Sequence, residues 1–183
     1  MSMPTPLINV MNNAARKASR LLMRDFGEVE QLQVSRKGPG DFVSEADKRT
    51  EEILHEELHK ARPGFGFLME EGGTIEGENA NERWIIDPID GTTNFLHGIP
   101  HFAISIGVER DKELVAGMVF EPVRDEVFWA ERNEGAYLNR RRLRVSERSD
   151  MGDALLATGI PFGTRPGKKA FAAMLNVVMN RTA

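Results

Sequence analysis

Trp84-Ile85-Ile86-Asp87-Pro88-Ile89-Asp90-Gly91-Thr92-Thr93 is the stretch on which the reading of this chain turns. Its apolar start reads as a buried strand that stops at Asp87-Pro88, because proline has no N–H to give a sheet ladder. Asp87 then emerges at a sheet edge on a rigid support. Asp90 follows, and Gly91-Thr92-Thr93 reads as the opening turn of a short helix through Phe95 and Leu96, whose free backbone N–H groups face the same spot. Two carboxylates beside a phosphate cradle repel the anion unless something neutralises them. A hard divalent cation such as Mg²⁺, which favours carboxylate, phosphate and water oxygens, does so most simply.

A second acidic element, Glu70-Glu71, stands at the end of an apolar run from Phe65 to Met69. If the strands of 65–69 and 84–87 lie side by side with their C-terminal ends aligned, Glu70 and Asp87 meet at one edge. With Asp90 they form a three-carboxylate cluster, able to hold two cations roughly 3.5–4 Å apart for an in-line phosphoryl displacement. The plainer reading is that Asp-Pro and Asp-Gly are ordinary turn vocabulary and Glu-Glu before Gly-Gly an ordinary solvated strand end.

Around this core the pattern predicts a layered α/β or α+β protein. Leu7, Val10, Met11, Ala14, Ala18, Leu21 and Leu22 recur at helical spacing and mark an amphipathic helix ending near Gly27. A short strand through Leu32 and Val34 leads into Lys37-Gly38-Pro39-Gly40-Asp41, which reads as a flexible loop. Ser44 to Asp47 has capping-box spacing and opens a second helix that Pro63-Gly64 ends. Gly72 to Arg83 reads as a polar loop. Four runs, Phe102–Glu109, Leu114–Phe120, Glu126–Glu131 and Ala136–Leu138, are separated by polar turns and suggest an antiparallel meander. A last strand is expected around Ala154–Ala157, then a Gly/Pro-rich loop and a helix begun by Lys168.

Composition bounds the function. The 183 residues carry 24 Lys+Arg against 28 Asp+Glu, a net charge of −4, which argues against bulk nucleic-acid binding. With 40% hydrophobic and 28% charged residues, the chain has apolar material for a core and is not intrinsically disordered. The absence of cysteine removes disulfides, thiolate metal sites and a cysteine nucleophile, and points to a reducing cytosol. No apolar run approaches a membrane span, and Met1–Val10 lacks the features of a secretory signal.

The segment Trp84 to Phe95, with Glu70-Glu71 and Asp41-Phe42-Val43-Ser44-Glu45-Ala46-Asp47 before it, closely resembles the inositol monophosphatases, in particular the bacterial extragenic-suppressor type. The resemblance runs from the first helix to about Phe162. It implies the N-terminal portion of a sugar-phosphatase αβαβα sandwich: two long helices on a largely antiparallel sheet over residues 1–149, then the start of a second layer over 150–183.

The resemblance also implies a Mg²⁺-dependent, lithium-sensitive phosphomonoesterase that hydrolyses inositol monophosphate with two or three Mg²⁺ per site. Glu70, Asp87 and the carbonyl of Ile89 match the ligands of a first Mg²⁺, and Asp87 and Asp90 those of a second. Gly91 and Thr92 N–H groups match the phosphate cradle, and Asp90 also meets the substrate hydroxyls. The Thr92 hydroxyl, supported by Asp47, matches the pair that orients the attacking water, with Glu70 in the catalytic set. Lys37 lies in the loop that closes over the site in relatives. Alternatives within the same chemistry are fructose bisphosphate, histidinol phosphate or a nucleotide 3′-phosphate. The resemblance further implies a cytoplasmic homodimer, and a different class of role, association with RNA polymerase in ribosomal RNA antitermination.

The pattern is departed from in two places. Family members continue through a Trp-Asp segment whose aspartate completes the second metal site, and here Trp84 precedes Ile85 while Trp129 precedes Ala130. A chain ending at Ala183 is therefore expected to hydrolyse inositol monophosphate weakly or not at all. Gly72-Gly73 replaces bulkier or polar residues and suggests only a flexible loop.

Other features carry less. His55-Glu56-Glu57-Leu58-His59 matches the zinc-protease pattern H-E-x-x-H. On a helical wheel with Leu54 at zero and Leu58 at about 40°, His55 falls at about 100° and His59 at about 140°, off the apolar face and toward water. No third ligand follows at a suitable spacing. Arg140-Arg141-Arg142 reads as a charged hairpin tip that keeps a strand edge soluble, with the antitermination role as its alternative. His97 and His101 belong to an ordinary loop and are given no role.

Overall fold

The computed structural model describes residues 4–28, 34–38 and 41–181. By internal packing the chain forms two compact units, Met1–Ser35 with Phe42–Leu143, and Arg36–Asp41 with Arg144–Ala183.

In the first unit, helix α1 spans Pro6–Gly27 and helix α2 spans Glu45–Ala61. Thr5 caps α1 by accepting a hydrogen bond from Ile8 N at 3.3 Å, and Pro6 occupies the first turn, where its missing N–H costs nothing. Ile8, Met11, Ala14, Ala15, Ala18 and Leu22 form the buried stripe of α1, and the run of alanines lets α2 approach closely. The one buried acid in the lower half of α1, Asp25, is paired with Arg49 of α2 at 2.7 Å.

Eight strands form one sheet: β3 (Gly66–Met69), β4 (Gly73–Ile75), β5 (Glu82–Asp90), β6 (Ala103–Arg110), β7 (Glu113–Glu121), β8 (Glu126–Glu131), β9 (Gly135–Leu138) and β10 (Arg141–Arg142). Their order is β10-β9-β8-β7-β6-β5-β3-β4. From β6 to β9 it is the expected antiparallel meander, and β5 and β10 continue the antiparallel pairing at its two ends. Asp111 and Lys112, both at positive φ, make the two-residue turn between β6 and β7. Trp84, Ile86, Ile104, Ile106, Val108, Met118, Phe120, Val127, Trp129 and Tyr137 alternate along the strands and are buried. The helices α1 and α2 pack on this sheet. At the far edge Trp129 stacks on Tyr137 at 4.2 Å and donates from Nε1 to Asn139 O at 2.9 Å, which pins β8, β9 and the turn after them. The remaining positions, among them Ile85, Asp87, Gly117 and Phe128, line an apolar groove of about 1050 Å³.

Five expectations are corrected. Lys37-Gly38 and Asp41 are not loop: β1 (Val34–Gly38) and β2 (Asp41–Ser44) pair as a two-stranded sheet, since main-chain pairing is open to any residue that keeps its N–H. Leu32 and Pro39-Gly40 lie outside the described residues. The stretch 72–83 contains β4, an edge strand exposed at every residue, so it carries no apolar signature. β5 does not stop at Asp87-Pro88. Its pairing with β6 passes from Asp87↔Ser105 to Asp90↔Ala103 through a bulge, where the strand accommodates proline without breaking. β10 adds a short strand of arginines to the open edge.

The fifth correction concerns the second unit, in which Ala154–Ala157 forms no strand. Leu155 is 88% exposed there and has no sheet neighbour to cover it. This unit contains a short 3₁₀ turn, Met151–Asp153, capped by Asp150, and helix α4 (Lys168–Met179), which begins at the expected residue after Gly167 at φ 86°.

Candidate functional site

The site is built by the one parallel pair among the described strands. β3 runs beside β5 in the register Phe67↔Trp84, Leu68↔Ile85, Met69↔Ile86, so the next step along both strands places Glu70 beside Asp87. That is the alignment anticipated from the sequence. Asp87 is half-buried, while Glu70 and Asp90 are exposed. Burial, then the charge of Glu70, then that of Asp90 push the Asp87 carboxyl up to about 7 from its usual 3.8. A hydrogen bond with Glu70 adds to the rise, and the backbone at Ile89 opposes it. Asp87 Oδ1 is buried with no hydrogen-bond donor among the described residues.

After the bulge, Gly91 takes φ 96° and turns the chain into α3 (Thr92–Leu96). A Cβ on Gly91 would lie 3.0 Å from His101 O and 3.4 Å from Phe102 Cα, so only glycine fits without displacement. Phe95 is buried, at 5.1 Å edge-on to Phe102 and 5.6 Å from Phe26, and it locks α3 to the sheet and to the end of α1. Thr92 donates its hydroxyl proton to Ile89 O at 2.8 Å. The Thr92 oxygen therefore faces any further partner as an acceptor.

α2 contributes from the other side. Asp47 is 3% exposed and Glu51, one turn later, 5% exposed. Glu51 accepts from Glu71 N at 2.9 Å and from Gly72 N at 2.7 Å, which ties the first half of α2 to the turn after β3. Glu51 was missed by the sequence reading. On the same wheel that placed Leu54 at zero, Asp47 falls at about 20° and Glu51 at about 60°, inside the apolar arc, and that misplaced charge was the available signal.

The carboxylates of Glu70, Asp87 and Asp90 influence one another electrostatically. Among the described residues, however, no three His, Asp or Glu side chains are already gathered closely enough to hold a cation. Their chemistry nevertheless fits one. The donor set is all oxygen, one buried carboxylate oxygen has no donor, and the charges of Glu70 and Asp90 raise the cost of ionising Asp87 with no cation beside it.

Elsewhere, His59 is exposed and His55 is half-buried with its ring 4.4 Å from that of Phe67, so the H-E-x-x-H pattern forms helix surface and a packing edge. Arg141 and Arg142 are exposed on the outermost strand, where charge blunts an open edge. Among the described residues no helix is long and apolar enough to cross a membrane.

The model of the inositol monophosphatase family matches residues 3–182. An inositol-1-monophosphatase of Mesorhizobium japonicum is 55% identical over 173 residues, covering 94% of this chain and 65% of that relative. A Nus factor SuhB of Pseudomonas aeruginosa is 46% identical over 159 residues, 86% of this chain and 59% of its own. The crystal structure of the extragenic suppressor protein suhB of Bartonella henselae superposes with a TM-score of 0.93 at 52% identity, covering 98% of this chain and 69% of that one. The chain thus spans about two thirds of the length of the curated relatives it matches. By the extent of the family match, the identity with these relatives and the shared fold, the chain belongs to the inositol monophosphatase family.

Proposed function

We propose that the protein is a Mg²⁺-dependent phosphomonoesterase that releases phosphate from inositol monophosphate. The observation that carries the reading is the parallel register of β3 and β5, which sets Glu70 beside a half-buried Asp87 whose Oδ1 lacks a donor. Glu70, Asp87, Asp90 and the Ile89 carbonyl are the residues that would hold Mg²⁺, which supplies charge neutralisation and acidifies water for attack on phosphorus.

The chain's own groups do the positioning. Gly91 and Thr92 present main-chain N–H groups at the start of α3, where helical geometry leaves them without an intrahelical acceptor, and these hold the phosphate oxygens. The Thr92 hydroxyl spends its proton on Ile89 O and so accepts from the attacking water, orienting it with Asp47. Asp90, exposed at the strand end, would meet substrate hydroxyls. Phosphoryl transfer asks little covalent work of a protein, so orientation and charge neutralisation suffice.

A phosphate-release assay on the protein at its full natural length tests this, with inositol monophosphate, fructose bisphosphate, histidinol phosphate and a nucleotide 3′-phosphate as substrates. The expected result is fastest turnover of inositol monophosphate, dependent on Mg²⁺ and inhibited by lithium. Preference for another substrate reassigns the specificity; no hydrolysis of any sinks the reading.

A second reading, association with the transcription machinery, is favoured by one observation: the exposed arginine strand Arg141–Arg142 in a chain whose relatives include proteins named Nus factor. Replacing Arg140, Arg141 and Arg142 with Ala is expected to abolish polymerase or RNA association while leaving phosphate release intact. Retained association with those arginines gone rules this surface out.

A further inference from the structure

We propose that Glu51 is a positioning residue for Glu70: from α2 it clamps the two peptide N–H groups that follow Glu70 and so fixes where that carboxylate stands beside Asp87. The proposal rests on the cation-site reading above.

Glu51 is the only buried glutamate in α2, and both of its oxygens are engaged by main-chain donors twenty residues away, Oε2 by Glu71 and Oε1 by Gly72. A carboxylate taken out of water is tolerated only when it is well paired, and here the pairing is with two consecutive peptide groups of an otherwise exposed turn. Glu70 is the residue just before them and is itself exposed, so without the clamp its main chain would be held from one side only, by β3. With both oxygens committed to Glu71 and Gly72, Glu51 acts on the site through the backbone.

Gly72 completes the device. A Cβ there would lie 3.2 Å from Glu51 Oε1 and 2.7 Å from Met69 Cε, so a side chain at this position crowds the carboxylate it must receive. The Gly72-Gly73 pair, which from sequence suggested only a loose loop, thus has one member fitted to the clamp. The same helix face carries a second buried acid, Asp47, one turn earlier.

Glu51→Gln tests the assignment, because the amide can accept one of the two hydrogen bonds but turns an NH₂ toward the other donor. Mn²⁺ affinity by titration calorimetry is measured together with hydrogen exchange at the amides of Glu71 and Gly72, using Asp87→Asn as the reference for a lost ligand. The expected result is a loss of cation affinity of about 10–100-fold, the range found when a group supporting a metal ligand is removed. Exchange at Glu71 and Gly72 should quicken while β6 to β8 keep their protection. Wild-type affinity in Glu51→Gln, with Asp87→Asn no longer binding, overturns the positioning role alone, even if the melting temperature falls. Wild-type affinity in Asp87→Asn overturns the cation reading and this proposal with it. Gly72→Ala is a second variant that leaves Glu51 in place: it should weaken Mn²⁺ binding in the same direction and carries the test if Glu51→Gln does not fold.

Discussion

Asp87 is held where its charge is costly. It sits half-buried at a strand bulge with one oxygen lacking a donor, and Glu70 and Asp90 add their fields to the desolvation. Because its folded pKa is raised to about 7 from 3.8, the metal-free folded state keeps a proton that the unfolded state has already lost in that interval. Stability therefore falls as pH rises from about 4 to about 7 and levels off above. Asparagine mimics the neutral form, so the melting temperature of metal-free Asp87→Asn should decline less over the same range, and Mg²⁺ affinity of the parent protein should climb across it as cation displaces proton. Superimposable melting curves for parent and variant across the range would contradict the assignment. The chemical character of Glu70, Asp87 and Asp90 was legible in the sequence because acids at strand ends and before glycine stand out. Glu51 was not, because a glutamate in a helix is unremarkable until its angular position among apolar neighbours is checked.

At the scale of elements, legibility followed burial. α1 and β6 to β9 announce themselves by period, since each presents an apolar face to the core. β4 and β10 are exposed throughout, and β1 and β2 flank a Pro-Gly pair, so their pairing is a main-chain matter that side chains do not advertise. The converse error came at Leu155 and Leu156, apolar residues 88% and 54% exposed in an irregular segment, where β-like composition found no partner strand. Pro88 shows a third limit. Proline was expected to end β5, and instead the bulge between Asp87 and Asp90 absorbs it, which carries the strand on to Asp90 and to the turn at Gly91.

In the first unit, the two helices and the sheet serve one placement. α1 and α2 pack together, α2 packs on β5, and the parallel pair β3–β5 ends at the turn that Glu51 ties down. That parallel pairing, the condition on which the meeting of Glu70 and Asp87 depended, is what turns separate sequence fragments into a candidate site. The most direct test of the central claim is an anomalous difference map from crystals grown with Mn²⁺. The account predicts a peak contacted by Glu70, Asp87 and the Ile89 carbonyl, absent in Asp87→Asn. A fully occupied Mn²⁺ elsewhere, with nothing beside Asp87, would contradict it.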